Sequence, residues 1–337
     1  MAKRIGRYSL YMENNPGILG FASVCGKKER EGPLGSMFDL AFDDTTLGEP
    51  SWEKAESKLQ TESVKMALKK AKLRPEDIDY IFAGDLLNQC ISSTFGLKDF
   101  KIPFLGQYGA CSTMAQTLAL ASIMVDSEVA SRCIAITSSH FCSAERQFRY
   151  PLEYGGQRTP TAQWTATASG AIVVGKGSGC PKVTAVTIGK IIDLGIKDAN
   201  NMGAAMAPAA VDTISTFFKD TNKNVNEYDL ILTGDLGEVG SKLLCDLLER
   251  EGLDIRNKHS DCGMMLYDKE TQDVHAGGSG CGCSASVLCS VILNRLCKKE
   301  YNKILFVATG ALMSPTSSQQ GESIPGIAQL VEISSQD

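Results

Sequence analysis

The sequence predicts an α/β fold built from two duplicated halves, and three internal echoes predict it. In the first, Asp79-Tyr80-Ile81-Phe82-Ala83-Gly84-Asp85-Leu86 returns 150 residues later as Asp229-Leu230-Ile231-Leu232-Thr233-Gly234-Asp235-Leu236. Each copy is a short apolar run closed by Gly-Asp, the pattern of a buried strand running into a turn. In the second, Gly109-Ala110-Cys111-Ser112-Thr113 opens an apolar helical run to Val125, and Gly282-Cys283-Ser284-Ala285-Ser286 opens another through Leu288, Ile292 and Leu296. In the third, Cys133-Ile134-Ala135-Ile136-Thr137-Ser138 matches Ile304-Leu305-Phe306-Val307-Ala308-Thr309. The elements occur in the same order twice, and alternating strands and helices predict parallel sheets with right-handed crossovers.

The 337 residues, 43% hydrophobic and 22% charged, are enough for a large core. They divide into an N-terminal half, 1–180, holding the Cys111 turn and the 144–158 loop, and a C-terminal half, 181–337. With 34 Lys and Arg against 39 Asp and Glu, the net charge is -5. That balance gives no footprint for nucleic acid and no polybasic run for anionic lipid. The apolar stretch 102–125 is broken by Gln107, Ser112, Thr113 and Gln116, short of the ~20 clean residues a membrane span needs. No direct membrane insertion is expected. Lys3, Arg4 and Arg7 are followed by Met12-Glu13-Asn14-Asn15 rather than an apolar segment, so no signal peptide is expected. The twelve cysteines then read as reduced thiols of cytoplasmic type.

Residues 102–108 read as a strand, and the following Gly109-Ala110-Cys111-Ser112 turns sharply into a helix. A thiol placed there faces the positive end of the helix dipole, and the N–H groups at Cys111 and Ser112 can cradle an anion. The alternative is a small buried cysteine where a tight turn demands small residues.

With these blocks the chain resembles the thiolase superfamily: Asp77-Ile78-Asp79 before a strand, the Cys111 turn, the small-residue strand Thr167-Ala168-Ser169-Gly170-Ala171-Ile172, and the duplication. Within that superfamily it is most similar to the stage V sporulation protein AD family of spore-forming bacteria. The blocks Gly84-Asp85-Leu86-Leu87-Asn88-Gln89, Ala144-Glu145-Arg146-Gln147-Phe148-Arg149-Tyr150-Pro151, Asp261-Cys262-Gly263 and Ala276-Gly277-Gly278-Ser279-Gly280-Cys281 carry that similarity. The resemblance implies a thiolase-like, five-layered αβαβα fold and a homodimer. It also implies a soluble component that binds dipicolinic acid (pyridine-2,6-dicarboxylate). Such a component acts at the spore inner membrane with membrane proteins of the same operon.

Condensing enzymes of the superfamily pair a nucleophilic cysteine with imidazoles or asparagine. By resemblance Cys111 takes the nucleophile position, while the partner positions fall on Asp235 and Cys281. A carboxylate beside Cys111 opposes thiolate and repels an oxyanion. The expected function is therefore a non-catalytic pocket for dipicolinate or its calcium complex. The alternatives are residual acyl transfer at Cys111 and a scaffold for membrane partners.

A planar dianion needs donors facing two carboxylates and a flat apolar wall. The ligand-binding candidates are Cys111, Ser112, His140, Arg146, Arg149, Asp85, Asp235, Gly278 and Cys281. The arginines are also consistent with pairing to Glu145 and Glu153, and Asp85 and Asp235 with capping the helices after them. His259, Cys262, Cys281 and Cys283 fit no standard zinc spacing. No metal site or cofactor is expected, with calcium entering only as part of the ligand complex.

Overall fold

The computed structural model describes residues 1–148, 158–177, 179 and 181–335. Ten main strands occur in chain order: β1 (Gly17–Cys25), β2 (Tyr80–Gly84), β3 (Phe104–Gln107), β4 (Arg132–Ser139), β5 (Ala168–Gly175), β6 (Lys182–Ile188), β7 (Leu230–Thr233), β8 (His259–Asp261), β9 (Lys303–Ala311) and β10 (Gly326–Ser334). They follow one path, β8-β7-β9-β10-β6-β1-β5-β4-β2-β3. The first five strands thus run 3-2-4-5-1 and the last five repeat that order. Pairing repeats as well: β2 is parallel to β3 and β4, as β7 is to β8 and β9. In each half the fifth strand is antiparallel to both its neighbours. The halves meet where Lys182 lies opposite Gly17.

The echo in the sequence encodes a repeated fastening. Asp79 accepts the N–H groups of Ser131 and Arg132 at the start of β4. Asp229 accepts those of Asn302 and Lys303 at the start of β9. The preceding corners match too: Arg74 N–H bonds the Asp77 carboxyl, and Asn224 N–H bonds that of Glu227, both at 2.8 Å. These capping boxes fix the entry into each buried strand.

The helices that position the site are α1 (Trp52–Ala71), α2 (Ile91–Leu97), α3 (Thr113–Asp126), α4 (Phe141–Phe148), α5 (Met202–Thr221), α6 (Gly237–Arg250) and α7 (Cys281–Val287). Ser51 caps α1, whose buried stripe of Ala55, Leu59, Val64, Ala67 and Leu68 packs on β1, β5 and β4. Helix α5 covers β9 and β10 in the same way. Between the sheets, α3 packs on strands of both halves, while α7, from the C-terminal half, packs on β1, β4 and β5. The result is five layers: helix, sheet, helices, sheet, helix. Burial of the apolar side chains in these layers is the main stabilising term, about 1.5–3 kcal/mol for each fully buried Val, Leu or Phe.

The approach of α7 to β5 leaves no room for side chains. A Cβ on Gly282 would stand 2.3 Å from the Ala168 carbonyl oxygen, and one on Gly170 would stand 2.4 Å from that of Ala285. Small residues here are a packing requirement. The described cysteines are all free thiols. Among the described residues, no helix is long and apolar enough to cross a membrane.

Candidate functional site

At the end of β3 the chain turns through Ala110, a non-glycine residue in the left-handed region at φ 49. Strain of this sort costs about 1–3 kcal/mol and is held only by a surrounding framework. The turn delivers Cys111 to the lining of a narrow, partly open cleft. Its apolar walls include Leu86, Phe148, Met202 and Met313, and its polar lining is Tyr108, Cys111, Glu145, Thr165 and Ser279. Both halves contribute, so the site exists only where the duplicated units meet.

Asp235 is the group that governs Cys111. The two side chains are close enough for each to shift the other's titration. The Asp235 carboxylate accepts from Gly280 N–H at 2.9 Å, Thr309 Oγ1 at 2.9 Å and Ser279 Oγ at 3.2 Å. Gly280, at φ 99, makes the contact from a conformation that favours glycine. Burial, with Asp261 nearby, pushes the Asp235 carboxyl up to about 7. Burial, then the Asp235 charge, pushes the Cys111 thiol well above its ordinary value. Cys111 is therefore held as a thiol, the reverse of what a nucleophile needs.

Of the two backbone donors predicted from the turn, the Ser112 N–H is already used. Ser112 N–H and Oγ both bond the Gly109 carbonyl, at 3.0 and 2.7 Å. Thr113 N–H bonds that of Ala110. Gly282 N–H bonds Ser139 Oγ at 3.2 Å. Gly278 does not line the cleft; its carbonyl accepts from Gln163 Nε2, and the next residue, Ser279, faces the space instead.

Asp85 and Asp235 occupy the same place in the repeat and do different work. Asp85 stays within its own half, accepting from Leu87 N–H, Ser93 N–H and Ser93 Oγ at 2.9, 2.8 and 2.6 Å, and so caps α2. Asp235 does not cap α6. Asp261 does that, taking Leu236 N–H at 2.9 Å and Gly237 N–H at 3.0 Å. Asp235 is thereby released to face Cys111.

His140 is buried away from the cleft. Its Nε2 lies 2.7 Å from the Thr45 carbonyl and its Nδ1 accepts Cys142 N–H at 3.2 Å, so it is a neutral structural imidazole whose pKa burial lowers. Arg146 turns outward, pairing with Glu53 and lying over the Trp52 ring at 5.2 Å. Arg149 lies outside the described residues. Cys281 is buried beside Cys111 in a small cluster with Leu86, Ala144 and Phe148, and its thiol bonds the Ser138 carbonyl at 2.9 Å. His259 bonds Thr233 Oγ1 at 2.9 Å, with burial lowering it to about 4. His275 pairs with Asp273 at 3.1 Å. Among the described residues no three His, Cys, Asp or Glu side chains converge on a metal position.

Sequence reading missed Glu145, Tyr108, Met202 and Met313 as cleft residues. Glu145 and Tyr108 sit inside stretches already singled out, directly beside Arg146 and the Cys111 turn. Met202 and Met313 come from distant segments and carry no local signal.

The layered fold, its repeat and a cysteine on the turn into a central helix define a thiolase-like protein. Comparison with solved structures agrees. The 3-oxoacyl-[acyl-carrier-protein] synthase III of Aquifex aeolicus superposes with a TM-score of 0.56 at 12% identity, covering 95% of this chain and 99% of that one. Cerulenin-bound OleA of Xanthomonas campestris superposes at 0.60 and 14% identity, covering 95% and 96%. At these identities the likeness shows the fold alone. Sequence goes further: residues 6–334 match the family model for Stage V sporulation protein AD. The Stage V sporulation protein AD of Bacillus subtilis (strain 168) is 48% identical over 326 residues, 97% of this chain and 96% of that protein. The chain belongs to the stage V sporulation protein AD family.

Proposed function

We propose that this chain is a non-catalytic ligand-binding protein of sporulation, taking dipicolinate or its calcium complex in the Cys111 cleft and supporting its uptake into the developing spore. The observation that carries the reading is the carboxyl of Asp235 on the Cys111 thiol. A condensing enzyme needs thiolate and positive help for an oxyanion, and a buried carboxyl opposes both. What remains is a cleft with apolar side chains along its walls, the kind of surface against which a flat ring packs.

In this reading the ring lies against Leu86, Phe148 and Met313, and a ligand carboxylate meets the Tyr108 hydroxyl, with Arg149 as the proposed cationic partner. Glu145 lines the same space and accepts from Thr165 Oγ1 at 3.0 Å. A carboxylate there repels a free dianion and offers an oxygen to chelated calcium. Calcium enters only with the ligand, and no resident cofactor is proposed.

Calorimetric titration with pyridine-2,6-dicarboxylate, with and without calcium, tests the proposal. Saturable one-site binding stronger than for a phthalate isomer supports it, and no binding under either condition removes it. The second reading, residual acyl transfer, draws on the retained Cys111 turn. It requires an acyl adduct on Cys111 after incubation with an acyl-coenzyme A, visible by intact mass and lost in Cys111→Ser.

Partners are proposed on the same footing. Phe104 and Leu105 are exposed on β3, the end strand of the sheet path, with Phe95 and Tyr108 exposed close by in sequence. An exposed apolar edge invites strand pairing, and we assign it to a second copy of the chain. Location at the spore inner membrane would then come through membrane proteins of the same operon. A scaffold without small-molecule affinity is the outcome if titration fails and partner binding persists.

A further inference from the structure

We infer that Glu56, on the outer helix α1, is a positioning residue for the cleft: it anchors α4, and α4 carries three of the residues that line the ligand space. The inference rests on the cleft being a ligand site, and the geometry runs through the N-terminal half. Glu56 is fully buried on the sheet-facing stripe of α1. Its Oε2 accepts from Ser143 Oγ at 2.9 Å, on the first turn of α4. Its Oε1 accepts from Ser138 Oγ at 2.9 Å, at the end of β4. Gln60, one turn along α1, donates to Ser138 Oγ at 2.8 Å and to Ser93 Oγ at 2.9 Å, tying the same carboxyl to the α2 start. Ala144, Glu145 and Phe148 follow Ser143 on α4 and face the cleft. One buried carboxyl therefore fixes the start of the helix whose inner side is a cleft wall.

The chemical state of that carboxyl is set by its surroundings. The ionisable groups that reach it are Asp85, from the turn after β2, and Cys281, from the start of α7. On its own helix Glu53 is taken by Arg146, and His140 beside Ser143 is neutral. Burial raises both carboxyls; Asp85 is held by two backbone N–H groups, which can only donate, and a hydroxyl, whereas Glu56 meets serine hydroxyls alone, which can turn to accept its proton, so the pair favours the proton on Glu56. Burial first, then Asp85, pushes Glu56 up to about 8. Above that pH two buried carboxylates face each other, and the anchor of α4 is charged with serine hydroxyls but no cation to offset it.

Hydrogen–deuterium exchange of the peptide covering α4 in the full chain, at pH 7 and pH 9 and corrected for intrinsic rates, tests this without any ligand. The wild type should exchange at least about fivefold faster at pH 9, Glu56→Gln should show no such change, and Glu56→Ala should exchange fast at both. Calorimetry with dipicolinate on the same proteins should show the wild type losing affinity at pH 9 by a similar factor and Glu56→Gln holding within about twofold. An equal pH response of α4 in wild type and Glu56→Gln, or a Glu56→Ala variant with unaltered α4, overturns the inference. A wild type that binds no dipicolinate at either pH overturns the ligand reading instead, and the exchange result still decides the role of Glu56.

Discussion

The Asp235 carboxyl stands beside the Cys111 thiol across the boundary between the two halves of the chain and holds it protonated. The fold keeps the strained turn that presents a cysteine to a central helix, and sets a proton-holding group against it. A retained turn beside a suppressed thiolate is the arrangement that the proposed binding role requires.

Cys111 should therefore be sluggish toward iodoacetamide at pH 7 to 8, with the exposed Cys297 as internal reference in peptide mass analysis. Asp235→Asn removes the charge and should raise the Cys111 rate about tenfold, one pKa unit of thiolate. Labelling of Cys111 in the wild type as fast as Cys297 contradicts the suppressed-thiolate picture.

His259 gives a pH signature of opposite sign to the buried carboxyls. Its folded value of about 4 lies below the unfolded 6.5, so the unfolded chain binds more protons between them and stability falls as pH drops through that window. The full effect is about 3 kcal/mol. Urea midpoints from pH 7 to pH 4 should fall less steeply in His259→Gln, and parallel curves count against the buried neutral imidazole.

Gly282→Ala places a methyl 2.3 Å from the Ala168 carbonyl oxygen and 2.7 Å from Ser139 N, both backbone atoms that cannot swing aside. A loss of about 2–4 kcal/mol is expected, read as a lower thermal midpoint. An unchanged midpoint means that α7 and β5 are farther apart in solution.

Replacing His140 by Gln should lower stability through the Thr45 and Cys142 contacts while leaving dipicolinate affinity of the folded chain within about twofold. A large affinity loss at unchanged stability returns His140 to the ligand.

Asp79 and Asp229 explain why so much of the fold was legible. Each ties the strand it precedes to its parallel neighbour, so a topological fastening is written locally and written twice. The site was less legible because its roles are decided by residues far apart in sequence. Asp85 and Asp235 have the same local context, and only the long-range arrival of Asp261 at the start of α6 frees Asp235 for Cys111. His140 and Arg146 sit in the expected segments, but their directions depend on Thr45 and on Glu53 and Trp52. Glu56 falls on a helical stripe that reads as buried, yet a charge on such a stripe gives no hint of the serines that receive it.

The most direct test of a cleft that binds rather than reacts is dipicolinate titration of the wild type beside Met313→Trp, with thermal midpoints checked for both. Met313 lines the cleft, and an indole there fills the space between the apolar wall and Cys111. One saturable site in the wild type, weakened at least about tenfold in a variant of similar midpoint, is the expected result. Equal binding by both proteins places the ligand elsewhere and contradicts the account.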